Sequence, residues 1–192
     1  MHDVVAHLTG LAQDWVAGDL ASYASPEWTS RQVARFADRP IAEVLDVWRL
    51  ARRSFGDLPE TPGMGDPAMW ALGDALVHEA DLHEAAGRGS RPPTEAIMMG
   101  VKSGLARWRL HLSERGVPSL RIDVVGGRQY WCGAPDDEAP VLRAEAWELF
   151  RLLFGRRSGR QVASLLTDGE RASLIEAGLP YPFEWSAVDL AG

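Results

Sequence analysis

The chain has 192 residues and a net charge of −7, with 46% hydrophobic and 24% charged residues. That size suits one domain, or a medium domain with a small appendage. The acidic balance and scattered arginines exclude a sequence-independent nucleic-acid surface, and no apolar run approaches the roughly 20 residues of a membrane span. The single cysteine, Cys132, excludes an internal disulfide and any CxxC site. With no basic, apolar leader in MHDVVAHLTG, the expectation is a cytoplasmic protein. Eight tryptophans point first to core packing and second to aromatic ligand contact.

Residues 1 to about 18 read as a helix, because Val4, Leu8, Leu11 and Trp15 recur at helical spacing. After a loop containing Ser25-Pro26, Thr29 to Gln32 has the capping-box form and predicts a short helix to about Ala37. Pro40 suits the first turn of another helix reaching about Phe55, and Gly56 to Gly65 is a turn-rich loop. Asp66-Pro67 starts a long helix to Ala86, with Gly87 as its stop. Pro92-Pro93-Thr94 opens one more, ending near Arg115-Gly116.

At Pro118 the period changes. Leu120 to Val124 alternates, Gly126-Gly127 signals a hairpin, and Arg128 to Cys132 pairs back. An acidic loop from Ala134 to Ala139 precedes a helix expected over Val141 to Phe154. Ser158 to Gln161 is a second capping-box form, opening a helix to Leu166, and Asp168 to Ala177 predicts a last one. The expected fold is mostly α: a helical bundle over 1–116, then a small α+β unit over 117–192. Arg151, Arg156, Arg157 and Arg160 read as a solvated helix end, with an anionic ligand as the alternative.

Within the long helix, Asp74, His78 and Asp81 follow i, i+4, i+7. At about 100° per residue they share a face within roughly 60°. In a bundle, His7 from the first helix can converge on the same centre. Two imidazoles and one carboxylate leave a fourth position open on a divalent ion, the pattern of catalytic rather than structural sites. Zinc is the first choice, and nickel, manganese or iron use the same ligands. Asp81 would then hold an imidazole N–H or a ligand water from behind. The plainer alternative is a helix-surface Asp74–His78 pair worth a few tenths of a kcal/mol. His83 lies about 140° round the helix from His78, and His2 and His111 have no spaced partner, so they read as surface residues. Cys132 reads as a buried, inert thiol.

The segments D-V-V-A-H-L at 3–8 and D-x-L-V-H-x-x-D-L at 74–82 resemble the mycothiol-dependent maleylpyruvate isomerase family of actinobacteria, within the wider DinB-like metal-binding four-helix bundles. R-Q-V-A-R-F-A-D-R-P-I-A-E-V-L at 31–45 is similar to the family's middle region. L-R-I-D-V at 120–124 and F-G-R at 154–156 resemble a reduced form of its second domain. The resemblance carries the family's metal triad onto His7, Asp74 and His78. It implies a metal-held mycothiol thiolate that attacks a small electrophile. In the isomerase case the thiolate adds to a conjugated cis double bond, which rotates before elimination. The alternative is a non-catalytic binding or interaction module of the same fold. The implied partners are a small-molecule substrate and a thiol.

Three departures stand out. Asp74 replaces the usual Glu, and Ala80 replaces a Trp. The family's preceding helix, with its Cys-Pro-Gly-Trp-like turn, has no counterpart before the first motif. Either the reading frame opens further upstream, or a bundle face is left uncovered and a second copy of the chain is expected to cover it as a homodimer.

Overall fold

The first apolar stripe forms the helix it predicts. In the computed structural model, which describes residues 1–58, 67–89, 91–117, 119–167, 171–180 and 182–190, helix α1 spans His2–Ala17. Gly18 ends it in the left-handed region, at φ 71°. Leu11 and Trp15 are buried as the spacing requires, but so are the polar Thr9 and Asp14. α1 packs against α2 (Pro26–Ala34), α3 (Ile41–Ala51) and α4 (Pro67–Ala85). Leu11, Ala12 and Trp15 join Trp28 and Ala71 in one apolar cluster; Ala6 joins Phe36 and Val44 in another. The axis of this unit is therefore α1, and α4 is one of the walls around it.

Ser25 caps α2, its hydroxyl accepting from the Trp28 amide at 3.1 Å, with Pro26 in the first turn. The capping-box reading of Thr29 to Gln32 is thereby corrected. Those residues lie inside the helix, because Ser25-Pro26 is the stronger start. This leaves the Gln32 side chain free for another purpose, and α2 comes very close to α1 there. A Cβ added at Gly10 would lie 2.5 Å from Gln32 Cβ, so only glycine permits the approach. A 3-10 turn, Arg52–Asp57, follows α3. The expected loop beyond Leu58 and the Asp66 cap lie outside the described residues. Gly87 does adopt a positive φ just after α4.

The chain forms two compact units, Met1–Ser90 and Arg91–Gly192. The change of period was expected to mark a boundary at 116. The division falls before α5 (Thr94–Glu114), which packs on elements that follow it: β2 (Gln129–Gly133) and α6 (Ala146–Leu153). Pro118 itself lies outside the described residues. β1 (Ser119–Val124) pairs antiparallel with β2, Leu120 opposite Cys132, as the hairpin signal requires.

Val141 to Ala144 is a strand rather than the expected helix. This β3 pairs parallel with β1, Leu142 beside Ile122, giving the order β2-β1-β3. Leu142 and Ala144 are buried and Arg143 is exposed, a period of two. The helix begins only at Ala146, and six of its eight residues are buried. α7 (Gly159–Leu165) carries the predicted Ser158–Gln161 capping box, and α8 spans Arg171–Ala177; Asp168 is outside the described residues. The protein is thus mostly helical with a small three-stranded sheet, and no helix among the described residues is long and apolar enough to cross a membrane.

The arginine cluster is a solvated end only in part, with Arg160 82% exposed. Arg151 and Arg157 are buried, and Arg157 grips Glu148 through Nε and Nη2 at 2.5 and 2.6 Å. Arg160 and Ser158 hold Asp189, and the Ser158 hydroxyl and then the Arg160 guanidinium keep its carboxyl below the usual range.

Cys132 is buried in β2. Burial pushes its thiol up to about 11, against the opposing charge of Arg109. The folded protein should therefore resist thiol-labelling reagents at about pH 8 and react fully once denatured. Rapid labelling of the native protein would contradict this.

Candidate metal centre

His7 on α1 and Asp74 and His78 on α4 are brought together. His7 Nε2 lies 3.3 Å from Asp74 Oδ2, and His78 Nε2 lies 3.7 Å from Asp74 Oδ1. The two imidazoles meet edge to face, with ring centroids 5.5 Å apart and planes at 78°. One ligand atom from each of the three residues lies within 4.8 Å of the others. Two ligands at about 2.1 Å from a tetrahedral ion stand about 3.4 Å apart. The His7–Asp74 separation matches that edge, and the His78–Asp74 separation, to the other carboxylate oxygen, is slightly longer. The donors suit a borderline divalent ion such as zinc. The three side chains are 14%, 23% and 22% exposed, so a further coordination position is reachable from solvent.

Asp74 is one methylene shorter than glutamate, yet it reaches both imidazoles, because α4 packs directly on α1. Asp81 stands behind His78, its Oδ2 4.0 Å from Nδ1. That is beyond direct hydrogen-bond length but on the side where a ligand histidine is steadied. His83 is not part of the group. It is more exposed and lies 3.9 Å from Glu79. His2 and His111, expected at the surface, each reach a backbone carbonyl. His2 Nε2 is 2.9 Å from the Arg39 oxygen, and His111 Nε2 is 2.8 Å from that of Ala177. His111 is partly buried, since it ties α5 to the end of α8.

Behind His7 lies a set of residues that the sequence did not single out. His7 Nδ1 is 2.7 Å from Gln32 Oε1. The Gln32 amide nitrogen donates to Asp14 Oδ2 at 2.8 Å, and Arg35 Nη2 donates to Asp14 Oδ1 at 2.7 Å. Gln32 is fully buried and Asp14 is 4% exposed. A buried carboxylate needs a charge partner and a buried amide needs both ends satisfied, and here each supplies the other. A signal was present: Asp14 lies seven residues after His7, two turns along one face, and between Leu11 and Trp15 of the apolar stripe.

The electrostatics of His7 follow from these partners. Burial lowers its pKa, but the Asp74 hydrogen bond and charge and the Gln32 hydrogen bond together outweigh that. The net result lies above the ordinary 6.5. The imidazole therefore faces a site that favours positive charge at Nε2, whether a proton or a metal ion provides it. The chain matches no protein-family model, no curated protein and no solved structure.

Proposed function

We propose that this chain is a divalent-metal protein of the mycothiol-dependent isomerase or thiol-transferase type, with a DinB-like arrangement of its first four helices. The observation that carries this reading is the convergence of His7 Nε2, Asp74 and His78 Nε2 from helices far apart in sequence. His7 and His78 would each give a lone pair from Nε2, and Asp74 would supply the compensating negative charge. Asp81 would steady His78 from its Nδ1 side. When bound, the ion would hold the thiolate of a low-molecular-weight thiol, lower its pKa and present it to a small electron-poor substrate at neutral pH. The chain's one cysteine, buried and held as a thiol, is unsuited to be that nucleophile, so an external thiol is required.

Cobalt substitution tests the thiol part of this reading. Adding mycothiol to the cobalt-loaded protein should produce a sulfur-to-metal charge-transfer band. If cobalt binds and the band is absent at saturating mycothiol, the thiol chemistry is wrong and a metal-binding module without it remains.

A further inference from the structure

A histidine can serve as a ligand through Nε2 only if its proton sits on Nδ1. The residues behind His7 bear on that choice. Ionised Asp14 accepts at both oxygens and donates at neither. One oxygen receives Arg35, and the other must face the amide nitrogen of Gln32. The amide oxygen of Gln32 is then the atom left facing His7. Nδ1 meets it at 2.7 Å while Nε2 stands 3.3 Å from Asp74 Oδ2, so the shorter, better-seated contact takes the single proton of the neutral ring. Every bond in the row points the same way. We propose that Arg35, Asp14 and Gln32 form a directional hydrogen-bond chain that fixes the proton of His7 on Nδ1 and so makes Nε2 the metal-binding atom. Gln32 is the positioning residue, and Asp14 sets its orientation through the Gln32 amide nitrogen.

The packing supports a fixed direction. Gln32 has no room to swing, since Gly10 lies against its Cβ and the side chain is fully buried. Reversing its amide would set an N–H₂ group against His7 Nδ1 and an amide oxygen against a carboxylate. Arg35 is the only member of the row with substantial exposure, at 36%. It donates to Asp14 Oδ1 and so sets the polarity of the whole row.

The consequence is specific. Asp14→Asn is nearly isosteric, but asparagine has one oxygen and one amide nitrogen. Arg35 still demands an acceptor, so the asparagine oxygen turns to Arg35 and its N–H₂ turns to Gln32. Gln32 must then present its oxygen to that N–H₂ and its own N–H₂ to His7. The His7 proton moves to Nε2, where it blocks coordination. A change that removes no ligand should weaken zinc binding by about 10–100-fold. Adding Arg35→Ala frees the asparagine to turn either way, so the double variant should bind zinc more tightly than Asp14→Asn alone.

The inference rests on the proposed metal site, but its proton assignment is measurable without metal. Nitrogen-15 spectra of the histidine-labelled, metal-free protein, taken at a pH where the ring is neutral, should show the wild-type His7 proton on Nδ1 and the Asp14→Asn proton on Nε2. Zinc titration of the wild type, Asp14→Asn and the double variant gives the second readout. A wild-type proton on Nε2 overturns the inference outright. So does an Asp14→Asn protein that keeps the Nδ1 proton and wild-type zinc affinity. A wild type with the Nδ1 proton and no zinc binding would instead overturn the metal reading and leave the proton assignment standing.

Discussion

Replacing His78 by alanine should reduce zinc affinity by more than the 10–100-fold that a change behind a ligand costs. His83→Ala, five residues further along α4, should leave it unchanged. The contrast follows from position. His78 Nε2 faces Asp74 at 3.7 Å, whereas His83 lies beside Glu79 and outside the group. Either histidine could be a plain surface residue by composition, so a loss confined to His78 separates a built site from general imidazole affinity. The pH dependence has a definite sign. In the metal-free protein the raised pKa of His7 means that its protonated form stabilises the fold. That contribution is fully present below the unfolded value near 6.5 and is lost as pH rises through the raised folded value. Metal needs the unprotonated Nε2. Its affinity should therefore climb as pH rises through that same value, opposite to the apo-protein's stability. Isothermal titration with zinc across this range checks the second sign, and urea unfolding of the metal-free protein over the same range checks the first.

Glu148→Ala should destabilise the second unit by about 3 kcal/mol, the lower end of the range for breaking a buried ion pair. Arg157 is only 1% exposed, and Glu148 meets it with two hydrogen bonds, at 2.5 and 2.6 Å. Removing the carboxylate leaves a guanidinium inside the core with its Nη1 bond to the Arg156 carbonyl, but without a counter-charge. The lower end applies because Glu148 is 26% exposed and water can partly replace it. The same stretch is held by the Ser186 amide, which donates to the Arg157 carbonyl, so the loss should spread to the C-terminal tail. Glu148→Gln keeps an acceptor and should cost less. Urea unfolding followed by circular dichroism measures both; a loss below about 1 kcal/mol, as for a surface pair, would show that the guanidinium finds other partners.

What the sequence revealed depended on how local the cause was. α1 was legible from its apolar stripe at helical spacing, α4 and α5 from proline-led starts and glycine stops, and the β1–β2 hairpin because a Gly-Gly turn separates two alternating runs. β3 was hidden. Val141 to Ala144 is four residues long and runs straight into the apolar period of α6, so its alternation was absorbed by the longer helical pattern. Its strand character comes from the free edge of β1, a tertiary cause. The division at residue 90 was illegible for the same reason: the partners of α5 lie after it in the chain. At the candidate site, His7, Asp74 and His78 were visible as residue types at helical spacing and by resemblance. Gln32 was not. Its role depends on a histidine on another helix and an aspartate two turns further on, while its local pattern suggested a cap. Nothing in α2 alone distinguishes a buried glutamine from an exposed one.

The most direct test is the metal content of the full chain purified without added ions, read alongside the absorption spectrum of its cobalt form. One ion per chain is predicted, with a four- or five-coordinate cobalt spectrum that disappears in His7→Ala, Asp74→Ala and His78→Ala and persists in His83→Ala. A wild-type protein that holds no ion and binds none when zinc is supplied, or one whose ion survives all three substitutions, would contradict the account.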